Sequence, residues 1–242
     1  MNDAEIRDRL AAFGAVPDDK LPIAETALWL AKRDLLDANL SNYLEHLRTI
    51  SDDVAAAARG VERLRGRIAC LREVIFRHHR YTGDNENYDN LQNANLMSVI
   101  DRRKGLPVAL GILVLHTARR QGWEMCGLNF PGHFLLRASL AGESVIVDPF
   151  ERLRRLTAED LCALLFRVHG RAVPLRAEFI GKVSDRDVLL RLQNNVKSRA
   201  LASGDLARAF DVLDSMVLIA PGNAGLGDEL AMLRARLKGK LN

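Results

Sequence analysis

The sequence predicts an α+β fold: helices packed on a small antiparallel sheet, with a short helical repeat at the C-terminal end. Three observations carry this. Val61, Leu64, Ile68, Leu71 and Ile75 are spaced 3, 4, 3 and 4, which lays one apolar stripe along a helix. The longest apolar run without a formal charge, Gly105 to Ala118, is shorter than the ~20 residues a membrane span needs and reads as a buried core helix. From Trp123 to Phe150 the helical period gives way to short apolar segments bounded by turn residues.

The elements follow in order. Leu21 to about Arg80 is helical, with a looser stripe from Ile23 to Leu47 interrupted near Asn39 and Ser41. Tyr81-Thr82-Gly83-Asp84-Asn85-Glu86-Asn87 reads as a polar loop, and a short helix runs from about Leu96 to Arg102. Pro107 suits a first helical turn, where its missing N–H costs nothing. Val108 to Gln121 is apolar on nearly all sides and belongs in the middle of the fold. Arg119 and Arg120 favour the negative end of that helix, and Gly122 is placed to end it. Trp123–Phe130 reads as a strand, Pro131-Gly132 as a break, and His133–Leu140 with Ser144–Phe150 as a hairpin turning near Ala141-Gly142. Thr157-Ala158-Glu159-Asp160 resembles a capping box, with Asp in the usual Glu position, opening a helix to about His169.

After Val183 the chain is helical again. Asp187–Ala202 and Leu206–Ala220 flank Ser203-Gly204-Asp205, and a third helix runs from Pro221-Gly222 to about Lys238. The rhythm resembles a tetratricopeptide repeat of ~34 residues, of which only about one and a half units fit. The expected organisation is a main domain over 1–182 and a helical tail over 183–242 packed on it.

Composition is that of an ordinary soluble globule, 48% apolar and 27% charged. The net charge of +4 gives no argument for nucleic acid or membrane as partner. The Arg-rich stretch from Arg59 to Arg80 reads first as a solvated helix face, with an anion or nucleic-acid patch as the alternative. Asp3, Glu5, Arg7, Asp8 and Arg9 do not read as a secretory signal. Cys70, Cys126 and Cys162 are odd in number and form neither a CxxC pair nor a zinc spacing, so three reduced thiols in a cytoplasmic protein are expected. His78 and His79 are adjacent on a charged helix end with no third ligand at standard spacing; no metal and no cofactor are expected.

The central segment holds most of the chemistry. Strand alternation puts His133 and Leu135 on one face, and a two-residue turn at Ala141-Gly142 sets Asp148 opposite Leu135. His133 and Asp148 are then diagonal neighbours with Cα atoms ~7–8 Å apart, within reach of a hydrogen bond.

Three runs, Asp101-Arg102-Arg103-Lys104-Gly105-Leu106-Pro107-Val108-Ala109-Leu110, Phe130-Pro131-Gly132-His133-Phe134-Leu135-Leu136-Arg137 and Val147-Asp148-Pro149-Phe150, stand in an order that resembles the SirB1 family, a branch of the transglutaminase-like superfamily. The tail, with Arg191 to Asn195, Gly204-Asp205 and Ala220-Pro221-Gly222, resembles that family's C-terminal region, so the likeness covers most of the chain from about Leu21. The resemblance implies a papain-like core in which a Cys at the N-terminus of the core helix attacks an acyl group. A His on a following strand is its base and an Asp on the next strand orients the His. The His position matches His133 and the Asp position Asp148.

The nucleophile is missing. Where the superfamily has Gly-x-Cys, this chain has Gly105-Leu106-Pro107, then Val108 and Ala109. The first hydroxyl on the helix, Thr117, is ten residues beyond Pro107, ~15 Å away. Cys126, on the strand before His133, is the remaining candidate thiol; Cys70 and Cys162 read as core fillers. For His133 and Asp148 a satisfied polar pair, a ligand or partner pocket and true catalysis all stay open. The expected function is non-catalytic: binding of a protein or peptide partner in a regulatory role. The alternative is a thiol-dependent acyl transferase or protease using Cys126 with His133.

Overall fold

A computed structural model describes residues 2–240. Helices α1 (Asp3–Gly14), α2 (Ile23–Lys32) and α3 (Leu40–Ala57) are followed by α4 (Leu64–Leu71), which runs on into a π-helical segment, Arg72–His78. Strand β1 (Thr82–Gly83), α5 (Leu96–Arg102), β2 (Lys104–Gly105) and the central helix α6 (Pro107–Arg120) come next. Strands β3 (Glu124–Gly127), β4 (Leu136–Leu140), β5 (Glu143–Asp148) and β6 (Arg154–Leu156) form one antiparallel sheet in chain order. Helices α7 (Ala158–His169), α8 (Asp185–Ala202), α9 (Leu206–Ile219) and α10 (Ala224–Lys240) complete the α+β chain.

Helix α6 is the core of the molecule. It starts with Leu106 as N-cap and Pro107 in its first turn, and eleven of its residues are buried. Helices α2, α3 and α8 and strand β3 pack around it. The β4–β5 hairpin has the two-residue turn at Ala141-Gly142, with Leu140 opposite Glu143 and Leu136 opposite Val147. One face of this sheet sends Met125, Leu136, Ala138, Val145 and Val147 into the main core; the other packs Cys126, Leu135 and Leu156 against Leu161, Leu164 and Leu165. Thr157 and Asp160 cap α7 reciprocally, as the sequence predicts.

Helix α8 begins with the same device, Ser184 with Asp187. In addition Asp18, from the chain between α1 and α2, accepts the backbone N–H groups of Asp185 (3.0 Å) and Arg186 (2.9 Å). A carboxylate at a helix N-terminus meets unpaired donors and the positive end of the dipole. Arg186 donates back to Val16 O (2.7 Å), and Val188, Leu189 and Leu192 enter the same core as α6.

The structure departs from expectation in four places. Helix α1 has no counterpart in the sequence reading, because its stripe is only Ile6, Leu10 and Phe13 among charged residues. The stripe from Val61 does not continue as one α-helix. The wider π turn brings Val74, Ile75 and Phe76 all inward, where a helix with a single apolar stripe would turn one of the three outward. The segment from Tyr81 is not merely a polar loop: Tyr81 is fully buried, Thr82–Gly83 pairs with Lys104–Gly105, and buried Asp84 accepts from Arg102 (3.0 Å). Finally, β6 adds a fourth strand that the sequence does not announce.

One consequence of the packing concerns pH. His116, on α6, faces a pocket of about 430 Å³ lined by Leu21, Pro22, Ile23 and Leu47. Burial first, then the positive charges of Arg120 and Arg119, lower its pKa to about 4 against the opposing pull of Glu25 from α2; Arg48 of α3 also faces the pocket. The unfolded chain takes up this proton near ~6.5. Stability from neutral His116 is therefore complete above that pH and is lost as pH falls toward 4, with a slope of at most about 1.4 kcal/mol per pH unit. Urea unfolding at pH 7.5, 6.0 and 5.0 should show a smaller loss in His116→Gln than in the wild type. A stability difference between the two that stays constant across these pH values would contradict the assignment.

Candidate functional site

His133 lies in the bend Pro131–His133, just before β4 rather than within a strand as the sequence suggests. The bend requires Gly132 twice over. Its φ is +65°, and an added Cβ would stand 2.6 Å from Val168 Cγ2. From there the His133 ring reaches the last residue of β5. Its Nε2–H donates to Asp148 Oδ2 at 2.8 Å. The second oxygen, Oδ1, accepts the backbone N–H groups of Phe150 (2.8 Å) and Glu151 (3.4 Å). The Asp148 side chain is 3% exposed and that of His133 19%. With Nε2–H directed to Asp148, the lone pair of the neutral ring is on Nδ1.

The bend is held from behind by α8. Arg191 donates through Nη2 to the carbonyls of Phe130 (3.0 Å) and His133 (2.8 Å), with its guanidinium 5.6 Å from the centre of the Phe134 ring. Burial pushes the Arg191 pKa down, and Tyr88 acts in the opposite direction. Two turns further along the same helix face, Arg199 pairs with Asp89 (2.9 Å) and sits 5.8 Å from the centre of the Tyr88 ring. Tyr88 is 42% exposed and meets Phe150 edge-on, ring centres 5.9 Å apart. The rim of the pair is thus Tyr88, Phe150, Arg191 and Arg199. The reading of the sequence did not assign Tyr88 or Arg199 a place here. The signal that could have found the arginines is the spacing Arg191, Asn195, Arg199, which puts three polar side chains, two of them arginines, on one helix face.

The start of α6 offers no nucleophile. Leu106, Pro107 and Val108 are all buried. Phe134, the neighbour of His133, packs on Gly111, one turn into the helix, so the bend lies against this end of α6. Thr117 is buried further along. Cys126 is buried on β3 opposite Arg137, whose Nη2 is 3.9 Å from its sulfur; Arg137, not His133, is its polar neighbour. The other thiols correct the sequence reading. Cys162 is exposed, because the buried face of α7 is Leu161, Leu164 and Leu165. Cys70 is half-buried and its S–H donates to Ala57 O (3.4 Å).

The expectation that His78 and His79 lack a third ligand is also corrected. Asp53 of α3, distant in sequence, brings its carboxylate to both rings.

A profile for the transglutaminase-like superfamily matches residues 41–194, well over half of the 242 residues. The chain belongs to the transglutaminase-like superfamily. The matched span runs from α3 into α8 and contains His133, Asp148 and Arg191. Among individual proteins, a UPF0162 protein of Xylella fastidiosa is 29% identical over 220 residues, 87% of this chain and 76% of the relative. A UPF0162 protein of Pseudomonas aeruginosa is 29% identical over 227 residues, 92% of this chain and 80% of the relative. Human F-box only protein 21 is 25% identical over 272 aligned residues, taking in 98% of this chain but 41% of its own length. No solved structure matches. The arrangement is a hydrogen-bonded His133–Asp148 pair on the side of α6 where Phe134 packs, at a helix start that carries no attacking group. No helix among the described residues is long and apolar enough to cross a membrane.

Proposed function

We propose that this transglutaminase-like chain is a non-catalytic member of the SirB1 type, which binds a protein or peptide partner in a regulatory role in the cytoplasm. The observation that carries the reading is the combination at one site: His133 and Asp148 in hydrogen-bond contact, beside a helix start made of buried Leu106, Pro107 and Val108. Acyl transfer needs an attacking group next to the base, and the helix start has none, which argues for recognition over catalysis. Tyr88, Arg191 and Arg199 around it are of the residue types that dominate binding energy at protein interfaces. The helices α8 to α10, tetratricopeptide-like in rhythm, would extend the contact surface. The likeness to part of F-box only protein 21 fits a module that works as a piece of larger proteins.

Two measurements test this. A variant with Cys70→Ser, Cys126→Ser and Cys162→Ser together should capture the same partners from a cell extract as the wild type. Loss of capture, or of any acyl-transfer activity, in step with alkylation of one thiol would favour the thiol enzyme instead. Introducing a thiol by Val108→Cys should give no His133-dependent turnover on glutamine peptides. Attack also needs donors aimed at the developing oxyanion, each worth about 100- to 1000-fold in rate, and an acyl group held at ~3–3.5 Å. Turnover that vanishes on adding His133→Ala would show a complete catalytic apparatus lacking only its sulfur, and would overturn the non-catalytic reading.

A further inference from the structure

We propose that Asp53, His78 and His79 bind one divalent ion of the zinc class. The three donor atoms lie within 4.8 Å of one another. Asp53 Oδ2 is 2.8 Å from His79 Nε2 and 3.9 Å from His78 Nε2. Ligands at ~2.0–2.2 Å from a tetrahedral zinc are themselves about 3.3–3.5 Å apart. The observed spacing straddles that value, and small rotations of side chains already facing one another would reach it.

The backbone explains why two adjacent histidines converge. On a regular α-helix neighbours point about 100° apart. Here His78 closes the π-helical segment and His79 is its C-cap, with the His79 N–H on Val74 O (2.9 Å). The two rings stand edge to face, centres 5.0 Å apart, and both present Nε2 to the same carboxylate oxygen. π turns recur at functional sites for this kind of re-aiming. Asp53 comes from a different element, α3, so the ligands are fixed by two packed helices rather than by a loop.

The donors are graded in exposure. The His79 side chain is 10% exposed, Asp53 39% and His78 71%. Three protein ligands anchored at the buried end and open on the other is the pattern that leaves a fourth position for water or a bound group. Behind His79 the ring of His46 packs edge-on at 5.4 Å and is itself held by the Tyr81 hydroxyl (2.8 Å). The Arg103 guanidinium is engaged with that hydroxyl (2.5 Å) and with the Tyr81 ring face. The donor set selects the metal. Two imidazoles and one carboxylate suit zinc, cobalt or nickel, whereas calcium and magnesium require mainly oxygen ligands.

An ordinary hydrogen bond would account for His79 and Asp53 alone. His78 decides between the two readings, because at 3.9 Å it makes no hydrogen bond to Asp53 and its exposure makes it dispensable for folding. The test is a titration of the tag-free, metal-stripped full chain with Zn²⁺ by calorimetry and with Co²⁺ by visible absorption, at pH 7.5. We expect one ion per chain, a low-coordinate Co²⁺ spectrum, and affinity weakened at least about tenfold in His78→Ala and in Asp53→Asn. Absence of stoichiometric binding, unchanged affinity in a folded His78→Ala, or binding lost in His133→Ala instead would each overturn the site.

Discussion

Phe134→Ala is expected to destabilise the protein by about 3–5 kcal/mol, the usual cost of removing a large buried aromatic ring. Phe134 is 2% exposed. Its ring lies where two glycines allow it: a Cβ on Gly111 would stand 2.4 Å from Cε1, and one on Gly127 3.1 Å from Cζ. Gly111 and Gly127 carry no side chain of their own to fill the cavity, so the loss should fall toward the upper end of that range. For a chain of this size about 1 kcal/mol corresponds to ~2–4 °C in Tm, so a fall of roughly 10–20 °C should be seen by circular dichroism. The ring also supports the Arg191 guanidinium, which clamps the His133 bend. The same variant should therefore broaden the ring signals of His133 in NMR spectra below the transition. A loss under about 1 kcal/mol would mean that the site closes over the gap, contrary to the packing described.

The reach of sequence reasoning follows the range of the interactions. The approach of His133 to Asp148 was legible because the hairpin register that brings Asp148 back past Leu135 depends on one two-residue turn, a local signal; the bend at Gly132 that aims His133 was not. The buried character of α6 and the cap at Thr157 are local for the same reason. What stayed hidden is carried by contacts between distant parts of the chain. Asp53 and His79 are 26 positions apart and meet only because α3 packs along the π-helical segment. Arg191 is 58 positions from His133, and its two carbonyl partners have no sequence signature at all. Cys162 was misjudged for a different reason: on a helix with three leucines in its buried face, a fourth small apolar residue need not share it.

Asp148→Ala is expected to cost about 2–4 kcal/mol, since it leaves the part-buried His133 Nε2–H and Phe150 N–H without their acceptor, at about 1–3 kcal/mol for each orphaned donor, with the lower part of that range applying to groups water still reaches. Asp148→Asn separates stability from chemistry. The amide oxygen can still accept from Phe150 N–H, so the loss should be the smaller of the two. But the amide nitrogen then faces His133 and can only donate. The ring must answer with an unprotonated Nε2, which moves its proton to Nδ1. Long-range ¹H–¹⁵N correlation spectra at neutral pH should therefore show the Nε2–H tautomer of His133 in the wild type and the Nδ1–H tautomer in Asp148→Asn. If the site binds its partner through the free lone pair on Nδ1, Asp148→Asn should abolish capture while Tm stays near that of the wild type. A wild-type His133 found in the Nδ1–H form would mean that Asp148 does not orient the ring as its 2.8 Å contact indicates, and the pair would then be a packing feature rather than a recognition site.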